Sequence, residues 1–270
     1  MTPLLRVEDL HVHFRSVEAV AGISFEIQKG EVLALVGESG SGKSASALAL
    51  TRLLPERAAE IRGRALLGDT DLLSLAPRDL RRVRGGRIAY VFQEPMSALH
   101  PLLRVGRQVA EAVRQHRPGV PAMKEAVRLL GETGLPDPER AARAWPHELS
   151  GGMQQRAIIA MALAGEPDLL IADEPTTALD VTVQAQILEL LKTERRKRAM
   201  AVLFITHHMA LLTSFADRIA VMRHGKIVEQ GPFLEVISAP KHPYTRGLLA
   251  CVPRLGARLK RFPTLSEVAP

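Results

Sequence analysis

The sequence predicts an α/β protein with a mostly parallel central sheet and a helical insert. Three observations carry that reading. Short apolar runs alternate with stretches of helical periodicity along most of the chain. The runs at 31–36 and 169–172 are almost wholly apolar and lead into a Gly-rich loop and an acidic one, as strands buried on both faces do. Between them, from 102 to 134, apolar residues such as Val105, Val109 and Val113 recur at helical spacing.

The elements follow in order. Residues 4–14 and 24–27 alternate apolar and polar, the pattern of half-buried strands. The strand at 31–36 feeds a helix at 44–54, stopped by Pro55. Residues 61–67 and 87–92 read as strands, and 77–84 as a short helix with Pro at its start. Pro118, Pro121, Pro136, Pro138 and Pro146 punctuate the helical insert. Beyond it, helices at 153–163, 182–198 and 209–215 alternate with strands at 169–172 and 202–205. Residues 219–222 and 226–229 flank His224-Gly225, a hairpin turn. The tail beyond 240 is basic and marked by Pro.

Composition narrows the function classes. No apolar run reaches the roughly 18–20 residues that cross a bilayer. The start, MTPLLRVEDL, lacks the basic-then-apolar pattern of a secretory signal. A single cysteine, Cys251, excludes an internal disulfide and an all-Cys metal site, and points to a reducing compartment. The formal charge of +7 does not argue for nucleic acid. Arg far outnumbers Lys and Asn is absent, which is compositional bias. The densest basic run, KTERRKR at 192–198, closes a helix whose dipole it complements.

Residues 37–44, GESGSGKS, fit G-x-x-x-x-G-K-[ST] in a strand–loop–helix context. That makes the core a P-loop NTPase. Gly37, Glu38, Ser39, Gly40, Ser41 and Gly42 would bring backbone N–H groups around phosphates. Lys43 would place a point charge on the β and γ phosphates, and the Ser44 hydroxyl would ligate Mg²⁺. An ordinary Gly/Ser turn would not need Lys-Ser at this spacing. The strand 169–172 delivers two carboxylates at its C-terminal end, where ligands sit in open α/β sheets. Asp173 would hold Mg²⁺ and Glu174 would orient or deprotonate a water. A second anion cradle, without a lysine, lies in ELSGGMQQR at 148–156, where Ser150, Gly151 and Gly152 precede a helix.

Together these residues resemble the ATP-binding cassette (ABC) ATPases, over nearly the whole chain. Leu149-Ser-Gly-Gly-Met153 looks like that family's signature motif. The resemblance implies a head-to-tail pair of cassettes in which Ser150, Gly151, Gly152 and Gln154 contact ATP held by the partner. It implies Gln93 as the Q-loop residue near Mg²⁺ and the attacking water. Asp180 falls in the D-loop, and His207 matches the switch histidine facing the γ-phosphate. Phe14 stands at the adenine-stacking position, although any buried strand aromatic looks alike there. The resemblance also implies an N-terminal antiparallel β subdomain. The expected organisation is an ATP-binding core of 1–93 and 161–238, a helical subdomain of 94–160 and an extension of 239–270.

The motifs QEPM at 93–96, PHELSGGM at 146–153 and ADEPTTALDVTVQAQ at 172–186 are similar to the importer branch for oligopeptides, dipeptides and nickel. So is KHPYTR at 241–246, whose physical role the sequence does not reveal. His208 stands where Asp usually follows the switch histidine, His100 where Asn is common, and Trp145 where Tyr is usual. The branch implies ATP and Mg²⁺, a second ATPase subunit, two transmembrane permeases and, indirectly, an extracytoplasmic solute-binding protein. No nucleic-acid partner is expected, and no iron–sulfur cluster. The location implied is the cytoplasmic face of the inner membrane. The rival expectation is a soluble cassette ATPase of DNA repair or translation. His11 and His13 share one strand face and could bind metal, but without a third ligand nearby they are read as solvent-facing. His147-Glu148 lacks the second His of a zinc protease motif.

Overall fold

Alternation at the N-terminus does what it predicts. In β1 (Leu5–Phe14), Leu5, Val7, Leu10 and Val12 are buried, and the residues between them reach the surface. The phase slips once, at Asp9, which takes a left-handed φ of 47° and shifts the register between Val7 and Leu10. This is a β-bulge. The computed structural model describes residues 2–15, 17–55, 57–92, 98–177 and 179–251. The chain divides into two units, one of Met1–Ser74 with Leu203–Pro270 and one of Leu75–Val202.

The first unit continues with β2 (Val17–Ile27), β3 (Val32–Val36), α1 (Lys43–Leu50), β4 (Ala59–Leu67) and β5 (Thr70–Asp71). Strands β2, β1, β4 and β5 form an antiparallel sheet in that order. Every residue of β3 is buried, as its apolar run requires. Helix α1 stops before Pro55 acts. Arg52 turns left-handed at φ 50°, and its N–H bonds to the Ala49 carbonyl at 2.9 Å. The Leu53 N–H reaches back to the Leu48 carbonyl at 2.9 Å, closing a Schellman motif.

The second unit holds α2 (Pro77–Val83), β6 (Ile88–Val91), α3 (Val105–His116), α4 (Ala122–Glu132), α5 (Pro138–Arg143), α6 (Gly151–Leu163), β7 (Leu169–Asp173) and α7 (Val181–Arg198). Strands β6 and β7 pair in parallel. The helical periodicity is fully cashed: Val105, Val109 and Val113 are completely buried in α3. Charged pairs tie the helices at their rims. Arg117 and Arg128 both hold Glu125 of α4. Arg198 of α7 reaches Glu132 at 2.7 Å.

The chain then enters β8 (Ala201–Thr206) and returns to the first unit through β9 (Arg218–Arg223), β10 (Lys226–Pro232), α8 (Phe233–Ser238) and α9 (Pro243–Ala250). β9 pairs in parallel with β3 and antiparallel with β10. The turn between them places His224 at φ 45° and Gly225 at φ 78°, both left-handed, as a two-residue hairpin of the I′ type needs. The helix expected at 209–215 shrinks to a 3₁₀ turn, Met209–Leu212. The result is the α/β class the sequence predicts: mixed, mostly parallel pairing beside an N-terminal antiparallel β subdomain.

Candidate active site

In the first unit, the loop after β3 coils around its own ammonium. Lys43 Nζ donates to the carbonyls of Gly37 (2.9 Å) and Glu38 (2.7 Å) and to Ser41 Oγ (3.4 Å). Only 5% of Lys43 is exposed. Gly42 caps α1 at φ 104°, and a Cβ there would strike the Ala19 carbonyl. The loop therefore needs glycine both for its φ and for the strand that presses against it. No side chain caps α1, and Ser44 lies in its first turn, the end of a helix that attracts anions.

Two distant segments and one residue of α1 itself brace the loop. The Glu38 N–H donates to the Tyr244 hydroxyl at 3.1 Å. The Gly225 N–H donates to the Ser41 carbonyl at 3.0 Å. Ser46 Oγ donates to the Gly42 carbonyl at 2.8 Å. Tyr244 is completely buried, with the Arg223 guanidinium 4.9 Å above its ring. The KHPYTR segment thereby acquires a physical role. Glu229 accepts the N–H groups of Lys241 (2.7 Å) and His242 (3.0 Å). Burial alone would raise the pKa of Glu229. The Thr245 hydroxyl and these two N–H groups outweigh it and hold the pKa low. His242 Nδ1 caps α9 by accepting the Tyr244 N–H at 3.1 Å, and Pro243 occupies the first helical position.

Also in the first unit, Phe14 ends β1 half-buried, opposite Val17 and Ala59. His207 follows β8 and is exposed. The ring of His208 lies 4.3 Å from that of His207, and the His208 backbone N–H donates to Thr206 Oγ1 at 3.0 Å. Gln93 lies outside the described residues.

The second unit carries the carboxylates. Asp173, 6% exposed, ends β7 and accepts a hydrogen bond from the Tyr90 hydroxyl on β6 at 3.1 Å. Burial and then the Asp173 charge push the pKa of Tyr90 far above its usual value, so the phenol stays a donor. Glu174 follows at a left-handed φ of 46°, a costly backbone for a non-glycine residue and one that gathers at functional sites. Thr177 Oγ1 donates to Glu174 Oε2 at 2.9 Å and so orients the carboxylate.

Two helix starts in this unit share one construction. Ser150 caps α6 by accepting the Met153 N–H at 3.4 Å, and Asp180 caps α7 by accepting the Val183 N–H at 2.9 Å. Four residues after each cap a glutamine reaches back. Gln154 Nε2 donates to the Pro146 and Leu149 carbonyls, at 2.8 and 3.1 Å. Gln184 Nε2 donates to the Thr176 and Leu179 carbonyls, at 2.9 and 3.1 Å. Gln154, expected from resemblance to face a partner's ATP, thus spends its amide on the loop before α6. The helix also begins two residues earlier than expected, so Gly151 and Gly152 form its first turn.

The structure places the P-loop, Phe14 and His207 in the first unit, and Asp173, Glu174, Ser150 and Asp180 in the second. Sequence reasoning missed Tyr90 and Glu229 and assigned no role to Gln184 and Tyr244, which lie in motifs it quoted. Gln184 left a further local signal, the cap-plus-four spacing that Ser150 and Gln154 repeat.

Comparison with known proteins bears on this arrangement. The family model described as ABC transporter matches residues 20–177. The model described as oligopeptide/dipeptide transporter, C-terminal region, matches residues 228–270. The oligopeptide transport ATP-binding protein OppD of Mycobacterium tuberculosis is 51% identical over 100% of this chain and 46% of its own length. The chain thus spans about half the length of that mycobacterial relative. The dipeptide transport ATP-binding protein DppD of Bacillus subtilis is 48% identical over 94% of this chain and 78% of its own. A dimeric ATP-binding cassette solved in a post-hydrolysis state with ADP and Pi superposes with a TM-score of 0.74 at 28% identity, over 85% of this chain and 98% of the other. The cbiO1 protein of Clostridium perfringens, part of the transporter complex cbiONQ, gives 0.74 at 28% identity, over 88% and 92%.

Proposed function

The chain belongs to the ABC transporter family, and on that premise we propose that it is the ATP-hydrolysing subunit of an importer for oligopeptides or dipeptides. The observation that carries the proposal is the Lys43-centred loop at the start of α1, in a chain matched by the transporter family over residues 20–177. The match to an oligopeptide/dipeptide transporter C-terminal region over 228–270 supports peptides as the cargo class and an importer over a cassette of DNA repair or translation.

Each residue has a task in this reading. The loop N–H groups and Lys43 bind the ATP phosphates, which replace the carbonyl oxygens that Lys43 now holds. Phe14 supports the adenine ring. Mg²⁺ takes hard oxygen donors, and the residues that would hold it are Ser44 through its hydroxyl, Asp173 through the carboxylate that Tyr90 keeps oriented, and Gln93. When bound, it neutralises charge on the β and γ phosphates. Glu174, oriented by Thr177, takes the proton of the attacking water, and His207 contacts the γ-phosphate. Ser150 and the first turn of α6 offer N–H groups to ATP held by a second cassette, identical or paralogous. Asp180 lies at that same interface.

Among the described residues no helix is long and apolar enough to cross a membrane. The proposed assembly therefore adds two permease subunits, fed by a solute-binding protein, with this chain peripheral on the cytoplasmic face. The test is Glu174→Gln. Expected is near-complete loss of ATP turnover with ATP binding retained, and co-purification with polytopic permeases from native membranes in ATP. Wild-type turnover in the variant would overturn the assignment of Glu174. Capture of ribosomal or repair proteins in place of permeases would overturn the transport reading.

A further inference from the structure

We infer that His11, His13 and Glu18 form a binding site for a divalent transition-metal ion of the zinc class on the β1–β2 hairpin. The sequence offers two histidines at i, i+2 and a glutamate five residues on; the hairpin brings that glutamate back opposite His13. One ligand atom from each residue lies within 4.8 Å of the other two. His11 Nδ1 sits 2.8 Å and His13 Nε2 3.2 Å from the same oxygen, Glu18 Oε1. The two imidazole rings are near-parallel, at 5°. Two imidazoles and one carboxylate converging on a point are the N₂O donor set of open zinc sites, with the fourth position left to water. Mg²⁺ prefers an all-oxygen shell and does not compete for such a set.

The surroundings are built for the same purpose. The other nitrogen of His11, Nε2, lies 3.2 Å from Asp9 Oδ1. A carboxylate on the far side of a ligating imidazole fixes its tautomer and raises its basicity. Asp9 reaches that position because it is the bulge residue of β1, and bulges re-aim side chains beside functional sites. Opposite it stands Gly22, at φ 73°, where a Cβ would come 2.9 Å from Asp9 Oδ1 and 3.2 Å from His11 Nε2. The sheet thus leaves space for the Asp9–His11 pair. The side chains of His11, His13 and Glu18 are 31%, 36% and 40% exposed, so an ion can enter from solvent. The bound ion would cross-link β1 to β2 one residue from Phe14.

This inference stands apart from the nucleotide reading and is tested without ATP. The full-length protein, stripped of metal with a chelator and dialysed into Mg²⁺ buffer, is titrated with Zn²⁺ against a chromophoric chelator. Expected is one tightly held equivalent per chain. His11→Ala and His13→Ala should each weaken it at least tenfold, and Asp9→Asn by about tenfold, the usual effect of losing an outer carboxylate. His147→Ala should leave it unchanged. Co²⁺ substitution should give tetrahedral absorption bands in the wild type that vanish in His13→Ala, with unchanged circular dichroism. Absence of a stoichiometric Zn²⁺ ion, or equal affinity in wild type and both histidine variants, would overturn the site.

Discussion

Helices α1 and α6 both open toward solvent with small residues, yet they are finished differently. At α1 the loop wraps a nearly buried ammonium and leaves the helix start uncapped. At α6 a serine hydroxyl caps the helix, and no basic residue stands in its first turn. A phosphate taken from water must exchange a full hydration shell for protein contacts, and that demands a cation as well as a dipole. A phosphate that another chain already holds needs only a few more N–H groups. On the proposed function, α1 would capture nucleotide by itself, whereas α6 would act only in an assembly.

The largest effect expected is on α1. Lys43→Ala should lower the affinity for a fluorescent ATP analogue about a hundredfold, roughly 2.7 kcal/mol. Undiminished binding would show that the helix dipole suffices and would erase the contrast. Ser150→Ala should leave that affinity unchanged in the isolated chain. In the Glu174→Gln background it should weaken ATP-dependent dimerisation about tenfold, as read by analytical ultracentrifugation, roughly 1.4 kcal/mol. Loss of nucleotide binding in the Ser150 variant would mean that α6 serves its own chain.

Tyr244→Phe sharpens the picture of α1. It removes one neutral hydrogen bond to the loop, worth about 1 kcal/mol, and should raise the ATP dissociation constant roughly fivefold. Turnover at saturating ATP should persist; a fall in kcat with constant KM would contradict a role confined to loop shape. The smallest effect belongs to Glu125, whose pKa Arg128 and then Arg117 depress to about 2. A depressed carboxylate stabilises above its unfolded pKa, and the gain fades as pH falls from about 4.5 toward 2. Because Arg128 is part-exposed, solvent screening keeps the gain below about 1 kcal/mol. Glu125→Gln should therefore lower the Tm slightly at pH 7, converge with the wild type near pH 2, and leave ATP binding at α1 intact.

The features legible in the sequence are those whose cause is local. Lys43-Ser44 after a buried strand, Asp173-Glu174 at the end of another, and His224-Gly225 between two strands each carry their own geometry. What the sequence hid depends on partners far along the chain or on backbone that no residue type announces. Tyr90 finds Asp173 only because β6 and β7 pair in parallel. Glu18 completes the histidine cluster only once β2 folds back on β1. Asp9 and Arg52 adopt left-handed backbone without being glycine, so neither the bulge nor the early end of α1 could be read from composition. The 3₁₀ turn at Met209–Leu212 replaces a helix that periodicity alone favoured.

The contact between Glu38 and Tyr244 spans 206 positions of chain. On a ribosome the phosphate loop therefore emerges long before its brace. At about 5–20 residues per second, the wait is roughly 10–40 s. For most of that interval the loop also lacks Gly225. Maturation of the nucleotide site is thus a late event in the life of a nascent chain, timed by synthesis of the segment that carries Tyr244. Truncated products that end before Gly225 keep the P-loop sequence yet lack both distant braces, and on the proposed function they should hold ATP less well than the finished protein.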